Sequence, residues 1–235
     1  MKPTPDHAAA ERLASLLAGR IMAPESRSTP VTWLNHVSVR EVLRRNIQLH
    51  LFSHVGIDGV LLKTLIGEQE RTSADLVVPR LLQQTPGAAV ALIGGDRIGL
   101  TRRSMAIVDA LPPASHLAWA LPGYGHPASE MMRVGASCPV DILLIGAGAG
   151  LQEELALQAV QQGIATAAIT CGGYLDQLAH GSYYPSWAYP LRLNWLVRIV
   201  REPRRLWRRY TVDVISAVRN RHTLRAQLAG LPRLD

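Results

Sequence analysis

The chain has 235 residues, of which 48% are apolar, 18% charged and 5% aromatic; this excludes a disordered or collagen-like chain and fits one large globular domain, or one domain with an appendage. Its two cysteines, Cys138 and Cys171, stand in no Cys-x-x-Cys or Cys/His cluster, so neither a disulfide framework nor a thiolate zinc site is expected and a reducing compartment is the simplest home. The net charge of +7 comes almost wholly from arginine, and it is local: Leu191 to Asp235 holds 11 arginines against 3 acids, whereas the preceding residues carry 14 basic and 15 acidic side chains.

Residues 1–28, with Pro3, Pro5 and Pro24 and a short helical pattern over Ala9 to Leu17, read as a mobile or loosely docked leader without chemistry. They lack the unbroken apolar core of a secretory signal, and no stretch offers ~20 consecutive strongly apolar residues for a spanning helix. A cytoplasmic protein, soluble or peripheral, is therefore expected. From Pro30 an extended run over Val31 to Asn35 precedes a helical segment of about ten residues through Gln48. A second extended run, Leu49 to Val55, ends at Gly56-Ile57-Asp58-Gly59. A helix over Asp75 to Gln84 is followed by a buried strand over Ala88 to Ile93, closed by Gly94-Gly95.

The same alternation recurs. Val108 to His116 has no clear pattern, but Val140 to Ile145 reads as a buried strand, Gly146 to Gly150 as a glycine-rich turn, Leu151 to Gln162 as a helix and Ile164 to Thr170 as another strand, stopped by Gly172-Gly173. Short apolar strands alternating with helices predict an α/β fold, a layered, Rossmann-like, mostly parallel sheet with flanking helices over residues 29–190. Ligands of such sheets gather beyond the carboxyl ends of the strands, so Asp58, Gly94-Gly95 and Gly146 to Gln152 mark where substrate is sought. Residues 191–235 differ in kind. Leu196, Ile199, Pro203, Trp207 and Tyr210 recur every three or four positions, with Arg198, Arg201, Arg205 and Arg208 on an adjacent face. Pro203 predicts two helices meeting near Glu202-Pro203 rather than one rod.

Each candidate site has an ordinary reading beside the functional one. The Gly146, Gly148, Gly150 spacing after a strand suits a phosphate at a helix amino terminus, but the dinucleotide fingerprint wants its third glycine one residue later and an acidic residue ~20 positions on, where the next strand reads Ala165 to Thr170. Asp58 between glycines is a turn former or a general base. His50 and His54 are four apart on a segment that reads as a strand, with no third ligand, and fit core or surface histidines better than a metal pair. The arginine stripe is a solvated face, a nucleic-acid patch or a surface for anionic lipid and diphosphate. Its bias to arginine, interleaved with Trp187, Trp195, Trp207 and Tyr210, favours the last, because a guanidinium fork suits diphosphate oxygens and these aromatics suit a membrane interface. With no helix-turn-helix, zinc or single-strand motif, no nucleic acid is expected as partner.

The stretches from Asp141 through Gly146, Gly148 and Gly150 to Gln152-Glu153, and from Trp195 through Arg198, Glu202-Pro203, Arg205 and Arg208 to Tyr210, resemble the WecG/TagA/CpsF family of bacterial glycosyltransferases (glycosyltransferase family 26), over about Val31 to Tyr210. The resemblance implies sugar transfer, with inversion and without a metal or other cofactor, from a nucleotide-sugar donor to a polyprenyl-diphosphate-linked acceptor during cell-surface polysaccharide assembly. It also implies a carboxyl-terminal appendage, here 191–235, that docks on the inner face of the cytoplasmic membrane and closes the active site. Carried onto this sequence, the family's Thr-Pro-Asn motif falls on Thr32-Trp33-Leu34-Asn35, one residue longer and without the proline. The Asp-Gly motif falls on Asp58-Gly59, making Asp58 the general base. The Arg-x4-Asp-Leu motif becomes Arg71 to Asp75-Leu76, one residue short. Gly94-Gly95 and the Gln152-Glu153 pair are kept, Gly-x-x-Phe-Asp appears as Gly173 to Asp176, and Arg198, Arg205 and Arg208 match arginines facing the leaving diphosphate. The departures concern mainly the donor pocket. They motivate a rival reading, a non-catalytic anion-binding protein, and the apolar face of the tail leaves room for a homo-oligomer.

Overall fold

A computed structural model describes residues 5–23, 28–67, 70–180, 214–215, 217–219 and 221–234. Six strands, β1 (Thr29–Leu34), β2 (His54–Ile57), β3 (Ala89–Gly94), β4 (His116–Leu121), β5 (Val140–Gly146) and β6 (Ala165–Thr170), form one sheet in the order β2-β1-β6-β5-β3-β4. Every pairing is parallel. The fold is α/β, as the alternation of strands and helices predicts.

Both faces of a parallel sheet are covered by its crossover helices, so its inner strands are apolar throughout rather than alternating. In β5, Ile142 and Leu144 point into one core and Leu143 and Ile145 into the other. One face is covered by α1 (Pro5–Met22), α4 (Ala74–Gln83), α5 (Leu100–Ala110) and α8 (Tyr174–Ala179). The opposite face is covered by α2 (Ser38–Arg44), α3 (Val60–Ile66), α6 (Pro127–Gly135) and α7 (Leu151–Gln161).

The leader expectation needs correction. Residues 5–22 form an 18-residue helix whose Ala10, Leu13, Ala14, Leu17 and Ile21 are buried against α4 and the sheet. Its apolar positions recur at helical spacing, and burying such a stripe against a packed neighbour is what holds a helix of this length in place. The second extended run is also displaced: Leu49–Leu51 is a single 3-10 turn, and the strand starts at His54. β4 and α5 flank the unclear stretch Val108 to His116 and are not among the elements that the sequence predicts. β4 is an edge strand with partly exposed residues, and α5 buries Ile107 alone.

At the carboxyl terminus, α9 (Arg221–Gln227) packs on α3, and Ala217, Leu224 and Leu228 join the core on that face. The chain then runs beside the edge strand: the Val55 N–H donates to Pro232 O at 2.9 Å, and the Leu234 N–H donates to His54 Nδ1 at 3.1 Å. The last part of the expected appendage is thus built into the α/β domain, because it supplies apolar side chains and covers a sheet edge. The helix pair expected near Pro203, together with Trp187, Trp195, Trp207 and Tyr210, lies outside the described residues. Among the described residues no helix is long and apolar enough to cross a membrane.

Candidate active site

The strand order fixes where a ligand cleft opens. β3 leads through α5 to the edge strand β4, while β5 leads the other way through α7 to β6, and these two helices lie on opposite faces. The crevice left between the carboxyl ends of β3 and β5 is the topological switch point of the sheet. Gly94 and Gly146 stand opposite each other there. A Cβ on Gly94 would lie 2.6 Å from Leu175 Cδ1, and one on Gly146 2.6 Å from Gly172 O. Gly123 closes the same spot, since its Cβ would be 3.1 Å from Gly94 Cα and 3.3 Å from Ala147 Cα. The mouth of the crevice is therefore lined by backbone, the surface that suits close approach of a phosphate.

Gly95 turns with φ +65°, and the Arg103 guanidinium of α5 lies against it where a side chain would stand. Arg103 Nε donates to Asp176 Oδ1 at 2.7 Å, and Nη1 donates to Asp96 Oδ1 at 3.2 Å. This pins the loop after β3 to α8. The guanidinium beside Asp96, with the Gly99 N–H as the larger influence, holds the Asp96 carboxyl below its ordinary value. Asp176 belongs to the softened Gly-x-x-Phe-Asp motif, but nothing in the sequence pairs it with Arg103.

Next along the edge, between β1 and β6, sits a closed polar network. Glu153 is 0% exposed. Its Oε2 accepts from the Gly150 N–H at 2.6 Å, the reach of an N3 glutamate back to the start of its helix. Its Oε1 accepts from Gln152 Nε2 at 2.9 Å and from Thr32 Oγ1 at 3.1 Å, and the Thr32 and Thr170 hydroxyls are 2.8 Å apart. Burial pushes the Glu153 carboxyl above its ordinary value against the pull of these donors. The network explains why Thr32 and Glu153 occur together, although they are 121 positions apart.

The third group is open. Asp58 follows β2, its N–H donating to Leu34 O at 2.7 Å, and its side chain is 40% exposed. Asn35, at the matching end of β1, turns its Oδ1 to the N–H groups of Val37 and Ser38, both at 3.0 Å, and so fixes the loop into α2. Arg71 Nη1 lies 3.8 Å from Asp58 Oδ1. Asp75 sits apart from this pair, on the first turn of α4, accepting from the Ser73 hydroxyl. The inserted Trp33 lies across Gly56, whose missing side chain leaves room for the indole.

The structure thus gathers Asn35, Asp58 and Arg71 at one end of the edge, Thr32, Gln152 and Glu153 in the middle, and Gly94-Gly95 at the switch point. Arg198, Arg205 and Arg208 lie outside the described residues. His54 is buried in β2 and His50 lies in the 3-10 turn; among the described residues no three His, Cys, Asp or Glu side chains cluster as metal ligands. Residues that sequence reasoning does not reach are Asp6, Lys63, Arg103 and Thr170. Each acts through a partner far along the chain, and Asp6 reads as an ordinary acidic residue in a first helical turn.

An open, all-parallel α/β sheet with glycine turns at its switch point places any ligand cleft at the carboxyl ends of the strands, where the carboxylate–guanidinium pair also lies. The comparison with known families is specific: the model of the glycosyl transferase WecG/TagA/CpsF family matches residues 19–229, and the chain belongs to that family. It is accordingly a glycosyltransferase, and the family implies sugar transfer in the synthesis of cell-surface polymers. No curated protein matches the sequence.

Proposed function

We propose that the protein is an inverting glycosyltransferase that moves a sugar from a nucleoside diphosphate donor, a uridine diphosphate sugar, to the hydroxyl of a sugar carried on a polyprenyl diphosphate. The observation that carries this reading is the half-open carboxylate of Asp58 at the carboxyl end of β2, with the Arg71 guanidinium 3.8 Å away. A sugar hydroxyl has a pKa far above 7, so a base within hydrogen-bond reach takes its proton as the new bond forms. In this step the acceptor oxygen bonds to the anomeric carbon, the bond from that carbon to the diphosphate oxygen breaks, and the proton passes to Asp58. The leaving diphosphate takes the electron pair.

The charge that builds on that diphosphate needs positioned donors in a site that excludes water. Backbone groups of the Gly94-Gly95 and Gly146 to Gly150 turns supply part of the cradle, and Asn35 and Arg71 orient the acceptor side. Gln152 and Asp75 border the donor, while Thr32 and Glu153 hold the loop that carries Gln152. Arg198, Arg205 and Arg208 of the arginine-rich segment complete the cradle when that segment meets the inner face of the cytoplasmic membrane, which couples docking to turnover.

Thermal-shift titration against uridine and guanosine diphosphate sugars, with duplex DNA as an anionic control, tests the reading, since a ligand of the native state raises the melting temperature. A uridine diphosphate sugar should stabilise the protein at salt concentrations that remove any DNA effect. Stabilisation by DNA with none by any nucleotide sugar would favour the non-catalytic anion binder.

A further inference from the structure

The family match begins at residue 19, yet the helix before it reaches the candidate site. Asp6, in the first turn of α1, accepts a hydrogen bond at Oδ1 from Lys63 Nζ at 2.9 Å and from the Arg71 N–H at 3.0 Å. Its Oδ2 lies 3.9 Å from Arg71 Nε, and Nη1 of the same guanidinium lies 3.8 Å from Asp58 Oδ1. Arg71 therefore stands between two carboxylates, one from α1 and one from the end of β2. Burial alone would push the Asp6 carboxyl up, but the bond from Lys63, that from the Arg71 N–H and the charges of both cations bring it below its ordinary value. It is ionised at neutral pH.

The position of Asp6 is set by packing. Leu13, Leu17 and Ile21 of α1 are buried, Arg12 makes two 2.8 Å bonds to Glu70, and Glu11 pairs with Arg80 at 2.9 Å. The charged groups that the described elements bring to the cluster are Asp6 from α1, Lys63 from α3, Arg71 from the turn before α4 and Asp58 after β2, with Glu70 turned to Arg12. Asp6 offsets Lys63, which it bonds directly, and Arg71, whose Nη1 lies 3.8 Å from Asp58 Oδ1. Without it, the uncompensated charge of these cations would act on that carboxylate and weaken it as a base.

We propose that Asp6 is a positioning residue for the transfer reaction: it holds Arg71 by side chain and backbone, offsets Lys63, and so keeps Asp58 basic. The inference rests on the reading of Asp58 as the base. It assigns a part in the chemistry to the first turn of the amino-terminal helix, which precedes the stretch that the family model matches.

The test is a carbon-13 titration of the Asp58 carboxyl in the full chain, its signal identified by its loss in Asp58→Asn. Wild type, Asp6→Asn, Asp6→Glu and Lys63→Gln are compared, with the melting temperature of each as the check on folding. In Asp6→Asn the Asp58 midpoint should fall by about half a pH unit, the scale of one unit charge a few ångströms off in a solvent-screened setting. In Lys63→Gln it should rise by a similar amount, and in Asp6→Glu it should return to the wild-type value. A merely structural role would not give shifts of opposite sign. Unchanged midpoints in Asp6→Asn and Lys63→Gln would overturn the proposal; if Asp6→Asn does not fold, Lys63→Gln decides, a raised midpoint supporting it and an unchanged or lowered one overturning it. Sugar transfer by Asp58→Asn is read separately. Retained transfer there counts against Asp58 as base, whereas lost transfer with unmoved midpoints counts against Asp6 alone.

Discussion

Glu153 and Asp58 are carboxylates on the same edge of one sheet, and both fall in stretches that resemble family motifs, but their surroundings are opposite. Glu153 is sealed at the start of α7, with three donors on its two oxygens, whereas Asp58 is half-open on the edge strand beside a guanidinium. A carboxylate that is 0% exposed and held by three protein donors does not meet a substrate hydroxyl. It can fix a loop. The Asp58 carboxylate, 40% exposed, is accessible to a ligand. On the proposed reading the two residues divide the work: Glu153 fixes the loop at the start of α7, and Asp58 is the base.

Substitutions should separate these roles. The largest effect is expected from Asp58→Asn, which should lower the rate of transfer about a thousandfold, as the loss of a general base does, while shifting the melting temperature by no more than about 2 °C. Glu153→Ala should do the reverse: it leaves the Gly150 N–H, the Thr32 hydroxyl and the Gln152 amide without their acceptor, and should cost about 3 kcal/mol of stability or roughly 10 °C in the melting temperature. A Glu153→Ala protein with wild-type stability and no activity would erase the division. Gly56→Ala presses a methyl into the Trp33 indole and the Thr72 hydroxyl, and urea unfolding should show a loss of about 2 kcal/mol.

An effect of similar size to that of Gly56→Ala is one of pH. Burial, with the charge of Arg233 adding to it, lowers the pKa of His54 from 6.5 to about 3. His54 is therefore neutral in the fold, and its Nδ1 accepts the bond from the Leu234 N–H. Below pH 6.5 the unfolded chain takes up a proton that the folded chain refuses, so this stability is full above pH 6.5 and is lost as pH falls toward 3, at about 1.4 kcal/mol per unit. Urea titrations of wild type and His54→Leu at pH 7 and pH 5 should diverge in that direction, with the wild type the more acid-sensitive. Equal slopes would remove His54 as the source.

Much of the centre of the molecule is legible in the sequence. β5 and β6 carry mainly apolar runs closed by glycines, because strands covered on both faces have no polar side, and the glycine turn and α7 stand between them. The periphery is less legible: β4 is an edge strand, α5 buries one residue, and α1 hides its stripe among alanines, whose weak apolar signal does not announce a docked helix. At the site, Asp58 and the glycine turns are visible from their local setting. Arg103 against Asp176 and Asp6 against Arg71 are not, since each pair joins residues more than 60 positions apart. Trp33 looks like a damaged motif in the sequence, yet in the fold it has a fitted partner in Gly56.

The most direct measurement is the anomeric configuration of the transferred sugar, read by proton NMR on the first product formed from a uridine diphosphate sugar of known configuration. One open carboxylate acting as base in a direct displacement predicts that the product has the configuration opposite to the donor. Retention would require a covalent or separately captured intermediate, and would contradict the role given to Asp58.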